Sequence, residues 1–319
     1  MRAFRTKTEP TPPFRSESTT IHRSAATCPA GSPKLTHSRS LLAPEICDSL
    51  PEVISTANTY KRMQRGLLDS RMNPPLISCI VPVFNGKRYL KEALDSIRAQ
   101  TYRPLEILVV DDGSTDGTAA VVAAYRDQIR YLWQKNAGPA AARNLGLRAV
   151  QGKFVAFLDA DDLWHPEKLA RQLARFAARP ELDLCVTHFR NFWIPELEQE
   201  AARYRDHRRA EALPGYYASS LLARRGLFDT LGRYDTTLGH GSHLEWFIRA
   251  TDHGAAIELL PDLLVYRRLH QGNRSRLMGP ASRDEFVRIL KTFLDRRRLL
   301  NSAAPAPHEP PATDRHGKG

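Results

Sequence analysis

Three carboxylates close the apolar run Phe154-Val155-Ala156-Phe157-Leu158-Asp159-Ala160-Asp161-Asp162. Extended backbone sends alternate side chains to opposite faces, so Asp159 and Asp161 are expected on one side and Ala160 on the other. At the carboxyl end of a strand in an α/β sheet, such a side opens into a ligand crevice. Hard oxygen donors placed there suit Mg²⁺ or Mn²⁺ holding a diphosphate, which is nucleotide chemistry. A second acidic strand end lies upstream, in Val109-Val110-Asp111-Asp112-Gly113-Ser114-Thr115-Asp116. A carboxylate there can accept hydrogen bonds from a base or ribose while Gly113 turns the chain. The same residues equally suit a turn and a helix start, with Ser114 or Thr115 as cap and Asp116 in the cap or first turn. Asn136-Ala137-Gly138-Pro139 then opens an Ala-rich helix whose amino end favours an anion. Arg143, one turn on, can reach a phosphate or base, although taken alone it reads better as a surface arginine.

These residues need a scaffold that ends several strands at one edge. Short apolar runs at 76–83, 105–110, 129–133 and 154–158 alternate with helical spacing at 88–99, 118–125 and 140–150. That alternation indicates βαβ units and a parallel sheet. Beyond it the pattern gives a helix at 168–176, a strand at 182–187 and a charged, irregular excursion at 195–213. Helices at 224–231 and 242–251, strands at 255–259 and 263–267, and a basic terminal helix at 286–300 follow.

The formal net charge of +12 suits a polyanionic partner, although part of the excess lies in the first seventy residues. No nucleic-acid module and no interleaving of aromatic and basic residues accompanies it, so no nucleic-acid partner is expected. No apolar run approaches the ~20 residues that cross a bilayer. Cys28, Cys47, Cys79 and Cys185 are scattered, without C-x-x-C or metal-ligand spacing. They read as free thiols of a reducing compartment, here the cytoplasm, with peripheral contact at an anionic membrane left open. Residues 1–74 are expected to be a disordered extension, with a short helix within 41–68 and later starts available at Met63 and Met72. One domain is expected over 75–300 and a disordered tail over 301–319.

In order and spacing, Pro82-Val83-Phe84-Asn85, Gln100, Glu106 with Asp111-Asp112-Gly113-Ser114, Asn136/Gly138/Arg143-Asn144 and Asp159-Ala160-Asp161-Asp162 resemble the family 2 inverting glycosyltransferases. The resemblance runs from about Ile77 to Phe176. It implies a GT-A nucleotide-diphospho-sugar transferase fold: α/β, with a mostly parallel mixed sheet flanked by helices, a nucleotide half and an acceptor half. It implies metal-dependent attack of an acceptor hydroxyl on the anomeric carbon of a UDP- or GDP-type nucleotide-sugar, with inversion. By the same resemblance Asp111 and Asp112 lie near the base, and Pro82 and Phe84 form a cradle around it. Arg143 becomes a donor-site arginine, Asp159 the ribose contact and Asp161 a ligand of Mn²⁺ or Mg²⁺.

The second half matches more loosely, through Gly215-Tyr216-Tyr217-Ala218-Ser219-Ser220-Leu221-Leu222, Arg225, Phe228, Gly232 and Tyr234-Asp235. Where the family usually carries Glu-Asp at a helix start, with the Asp as base, this chain has Ser242-His243. Ser242 and Glu245 fit an S-x-x-E capping box, which leaves His243 at the first helical position facing the cleft. A helix amino end disfavours imidazolium, so His243 is expected neutral and able to accept a proton. Alternatively Glu245 is the base. Residues two apart on a helix lie about 200° apart, so only one of the two faces the acceptor, and His243 is preferred. Arg267-Arg268-Leu269-His270-Gln271-Gly272-Asn273-Arg274-Ser275 resembles the family's basic loop over the donor diphosphate. That makes His270 a metal ligand or diphosphate contact, and Arg267, Arg268 and Arg274 phosphate contacts.

Three alternatives stand beside this reading. A sugar nucleotidylyltransferase needs a Gly-rich phosphate loop after the first strand, where Phe84-Asn85-Gly86-Lys87-Arg88 offers one glycine. A catalytically degenerate nucleotide-sugar-binding protein of the same fold and a non-enzymatic binding protein are the others. Donor sugar and acceptor depend on the loops around 190–240 and are not legible.

Overall fold

The computed structural model describes residues 73–276 and 279–302. The expected extension up to residue 72, with its helix at 41–68, and the expected tail from residue 303 lie outside the described residues.

Strand β1 (Ile77–Val83) is buried at every position, as a central parallel strand covered on both faces must be. It lies between β2 (Leu105–Asp111) and β4 (Phe154–Phe157), with β3 (Arg130–Trp133) beyond β2, all parallel. Helices α1 (Leu90–Arg98), α2 (Thr118–Ala123) and α3 (Pro139–Ala149) make the crossovers. In α1 the buried residues Leu90, Ala93, Leu94 and Ile97 recur at i, i+3, i+4 and i+7, which lays one stripe on the sheet. The pleat divides the interior in two. Ile77, Cys79 and Val81 meet Leu94, Ile97, Val109 and Phe154 on one face, while Ile80 meets Leu108, Leu147 and Phe157 on the other. Gly146 lets α3 press close, since a Cβ there would lie 2.6 Å from Ile80 Cγ2.

The later part of the chain adds β5 (Leu163–Trp164), β6 (Leu184–Trp193), β7 (Ala212–Pro214), β8 (Leu222–Arg224) and β9 (Ile257–Leu269). The strand order is β3-β2-β1-β4-β8-β6-β9-β5, with β7 against β6. Because β8 is antiparallel to both β4 and β6, β6 and its parallel partner β9 run with the first four strands. The sheet is therefore mixed and mostly parallel, as expected. Helices α4 (Lys168–Ala178), α5 (Glu198–Arg203), α6 (Arg225–Leu231), α7 (Ser242–Asp252) and α8 (Pro280–Ser302) complete the described chain.

Three expectations change. The strand runs at 255–259 and 263–267 are one strand, β9, which passes through Pro261. The register skips from Thr187↔Leu260 to His188↔Leu263, so Pro261 and Asp262 bulge out and no ladder hydrogen bond is asked of the proline. The strand expected at 182–187 continues to Trp193 because β9 pairs with it throughout. The stretch 195–213 is not irregular: α5 and β7 form there. Glu196 pairs with Arg88, Glu200 with Arg276 at 2.5 Å, and Trp193 stacks on Tyr204, which ties the stretch to its surroundings.

A cation lies inside the core. Lys168 is fully buried, its Nζ donating to Gln172 Oε1 at 2.8 Å and lying 4.2 Å from the centre of the Trp164 ring. Burial pushes its pKa down to about 7. Between that value and the ordinary lysine value of about 10.4, the unfolded chain binds a proton that the folded chain does not. Stability from this residue therefore rises with pH across the window. In urea unfolding, the stability of the parent relative to Lys168→Met should grow by up to about 1.4 kcal/mol per pH unit above pH 7. A pH-independent difference would contradict the assignment.

Candidate active site

The carboxyl ends of β1, β2 and β4 face the same crevice, where an open parallel sheet takes ligands. After β1 the chain exposes Phe84 and turns at Asn85, whose φ of +51° an asparagine tolerates. Asn85 donates its N–H to Ser114 Oγ and accepts from the Thr115 N–H, both at 2.8 Å. Those two bonds lock the turn after β1 to the turn after β2. Pro82 sits within β1 opposite Val110. Asp111 accepts from the Ser114 N–H at 2.7 Å and from the Tyr131 hydroxyl at 2.6 Å. Asp112 accepts from Gln134 Nε2, Ala137 N–H and Gly138 N–H at 2.7–2.9 Å. Both carboxylates are buried and organise the crevice floor. Neither Ser114 nor Thr115 caps the next helix. That helix, α2, follows Gly117, and Asp116 accepts from the Thr118 N–H at its start.

Strand β4 stops at Phe157, and Asp162 donates its N–H to Asp159 O at 3.0 Å to close a turn. The expected alternation of Asp159 and Asp161 on extended backbone is thus corrected: a turn aims each acid at its own partner. Asp159 accepts from Arg143 Nη2 at 2.7 Å, and its N–H donates to Ser219 Oγ at 3.1 Å. Asp161 meets His270 Nε2 at 2.9 Å and accepts from Asn273 Nδ2 at 3.1 Å. Asp162 turns inward, accepting from the Arg268 N–H and Ser219 Oγ, both at 3.1 Å. Burial, reinforced by the charges of Asp161 and Asp159, holds the Asp162 carboxyl well above the usual carboxylate range. The side chains of Asp159 and Asp161 remain 33% and 30% exposed, so these two carboxylates are the ones a ligand can reach.

His270 Nδ1 accepts from the Gly272 N–H at 3.2 Å, which assigns the ring proton to Nε2, facing Asp161. Its ring lies 4.8 Å from that of Tyr89. With a cation in place of the Nε2 proton, Asp161 and His270 together would supply one hard oxygen and one imidazole nitrogen. Among the described residues no group of three His, Cys, Asp or Glu side chains gathers to hold a metal. The pair would suit an open Mg²⁺ or Mn²⁺ site completed by oxygens from a ligand and water, rather than a cage built by protein alone.

The arginines divide by position. Arg268 donates through Nε to Asp161 O at 2.9 Å and through Nη2 to Glu92 at 2.8 Å. Its guanidinium lies over the rings of Tyr89 and Phe192, at 4.6 and 4.8 Å. It is a buried strut at the crevice wall. Arg274 donates to Gly239 O at 2.6 Å, and burial together with the nearby Arg143 charge lowers its pKa. Its field also reaches Asp159 and Asp112, while that of Arg267 reaches His243 and Asp162, so Arg143, Arg267 and Arg274 all act on the crevice.

Further along the chain, the N-cap of α7 is Gly241 and makes no side-chain cap bond, so the expected capping box does not form. Ser242 is the first helical residue and His243 the second. Glu245 instead pairs with Arg249 at 2.7 Å, and Arg249 also holds Leu231 O at 2.6 Å and Arg233 O at 3.0 Å. His243 is half-buried and makes no hydrogen bond to the described residues. Burial, and then the charge of Arg143, lowers its pKa to about 4, against the pull of Asp159. The imidazole is therefore neutral at physiological pH, with the field of Arg143 adding to burial.

Two clasps place it. The Asn144 amide brackets Tyr234, accepting from its N–H at 3.0 Å and donating to its carbonyl at 2.7 Å. From α8, the Glu285 carboxylate accepts the N–H groups of Gly239, His240 and Gly241 at 2.7, 2.8 and 2.5 Å. Ile289 packs where a Cβ on Gly241 would stand. Sequence reasoning missed Tyr89, Ser219, Asn273 and Glu285. Ser219 and Asn273 lie inside stretches already singled out, whereas Glu285, one acid in a basic helix, carried no signal. Glu285→Ala should speed amide hydrogen exchange at Gly239, His240 and Gly241 by more than ~10-fold while Val81 and Leu108 stay protected. Unchanged exchange in the 239–241 loop would refute the clasp.

Residues 78–232 match the model of glycosyl transferase family 2. An uncharacterized glycosyltransferase of Rickettsia prowazekii is 44% identical over 99 residues, covering 31% of this chain and 31% of its own length. Glycosyltransferase GlyA of Streptococcus pneumoniae is 40% identical over 119 residues, covering 36% of this chain and 17% of its own length. The chain thus spans about a third or less of these relatives. S. aureus TarS 1–349 in complex with UDP-GlcNAc shares the fold, with a TM-score of 0.56 and 21% identity over 72% of this chain and 68% of that one. The segment that the family model covers supplies β1, β2 and β4 and the acids at their ends. On its sheet topology, its acidic turns and these matches, residues 78–232 are similar to glycosyl transferase family 2, and the described chain adopts the GT-A fold.

Proposed function

We propose that the protein is a metal-dependent, inverting glycosyltransferase that moves a sugar from a UDP- or GDP-type donor to an acceptor hydroxyl. One observation carries this reading: the partly exposed acids Asp159 and Asp161, each held by its own partner, share a crevice with the neutral His243, whose side chain has no hydrogen-bond partner among the described residues. The UDP-GlcNAc complex of the structural neighbour TarS favours a UDP-sugar as donor.

In this reading Phe84, Pro82, Asp111 and Asp112 border the base, and Asp159, paired with Arg143, accepts from the ribose. Asp161 and His270 would hold the cation. When bound, it supplies positive charge against the departing diphosphate. Arg143 and Arg274 add positive charge on the same side. His243 accepts a hydrogen bond from the acceptor hydroxyl and takes its proton as the new bond forms. The donor's negative charge raises the basicity of His243 above that of the free protein, because a nearby anion favours imidazolium. Glu245, held by Arg249, keeps α7 attached to the loop before it.

A second reading has one observation in its favour. The carboxylate nearest the expected base position, Glu245, is engaged by Arg249, which suits a protein that binds a nucleotide-sugar without turning it over. A panel of UDP- and GDP-sugars assayed for nucleotide release with Mn²⁺ separates the two. Single-turnover transfer should fall by ~10²–10⁴ in His243→Asn and by less than ~10-fold in Glu245→Gln. The acid limb of the parent's pH–rate profile should lie below the ordinary imidazole value of about 6.5. Near-parental transfer by His243→Asn would remove it as base. Nucleotide binding without release from any donor would establish the second reading.

A further inference from the structure

We propose that α8 is an in-plane docking element that seats this protein on an anionic lipid surface. Seven large hydrophobic side chains are exposed among the described residues, and three of them, Val287, Leu290 and Leu294, lie on α8 at 64%, 45% and 51% exposure. Spacings of three, four and seven residues put them on one face of the helix. Three exposed apolar groups in register are a patch rather than scattered surface residues. At about 100° per residue they lie some 140–180° around the helix from Glu285, which faces the protein. Ile289, Phe286 and Phe293 are the better-buried residues of the helix, so the stripe is not the face that packs on the sheet domain.

Charge selects the occupant. The exposed cation Arg283 lies within the stripe, and Lys291 and Arg298 border it. Asp284 and Asp295 lie further round, and Asp295 is within 3.7 Å of Arg298. Long basic side chains beside a narrow apolar stripe can lay their stems on hydrocarbon and reach headgroup phosphates. A second copy would bring two such basic faces together, at a cost. Residues 1–72 carry eleven Lys and Arg against six Asp and Glu, so that segment has the wrong sign to cover the stripe as well. An anionic bilayer offers both the apolar depth and the opposite charge. No helix among the described residues is long and apolar enough to cross a membrane, so α8 would lie in the interface and not span it. Docked in this way, α8 holds the 239–241 loop, which leads into His243, about one helix diameter (~10 Å) from the headgroups.

The test is co-sedimentation of the full chain with vesicles of phosphatidylcholine alone and of phosphatidylcholine mixed with phosphatidylglycerol. The parent should pellet with the mixed vesicles only, less so as salt is raised. Combining Val287→Ser, Leu290→Ser and Leu294→Ser should weaken binding at least ~10-fold, as should Lys291→Glu with Arg298→Glu. All these side chains are exposed, so the variants should melt with the parent, which excludes misfolding as the cause. Three results overturn the proposal: no parental binding to the mixed vesicles, binding that survives both sets of substitutions, or a parental dimer that the apolar substitutions dissociate without changing lipid binding.

Discussion

Three carboxylates packed into one four-residue turn repel one another, and the whole site depends on how that repulsion is relieved. Two like charges a few ångströms apart cannot share a low-dielectric crevice without opposite charge, hydrogen-bond donors or protonation. Here each acid has its own solution. Asp159 faces Arg143, Asp161 faces His270 and Asn273, and Asp162 withdraws into the interior, where burial favours its neutral form. The turn supplies this divergence, which a straight strand end could not. It leaves two carboxyl groups partly exposed to the crevice and one internal anchor that fastens the Arg268 backbone and Ser219.

The scaffold carries these partners from far apart in the chain. Arg143 arrives on α3, whose close approach to β1 depends on Gly146. His270 and Asn273 follow β9, which reaches the site only because it pairs along the full length of β6 despite Pro261. His243 depends on two clasps on neighbouring segments, Asn144 on Tyr234 and Glu285 on the 239–241 loop. Positioning therefore rests on hydrogen bonds to backbone, which hold geometry more tightly than contacts between flexible side-chain tips.

Much of the nucleotide half was legible because its signals are local. Alternating strand and helix periods located β1 to β4 and α1 to α3, since strands buried on both faces read as continuous apolar runs. The acids at 111, 112, 159 and 161 were visible as abrupt ends to those runs. The later half was less legible because its determinants are tertiary. Pro261 split β9 into two runs, and only pairing with β6 rejoins them. Ser242 and Glu245 had the spacing of a capping box, yet Arg249 offers Glu245 a charged partner four residues on, which outcompetes the backbone N–H. The 195–213 stretch lacks periodicity because ion pairs to Arg88 and Arg276, distant in sequence, order it. Glu285 could not be found from spacing at all: its role exists only once α8 has packed on the 239–241 loop.

Calorimetric titration of UDP or GDP in the presence and absence of Mn²⁺, on the parent and on Asp161→Asn, tests the central claim most directly. The account predicts that Mn²⁺ tightens nucleotide binding to the parent by at least ~10-fold and that this gain disappears in the variant, while metal-free affinity changes little. An Asp161→Asn protein that retains the full Mn²⁺-dependent gain would contradict it.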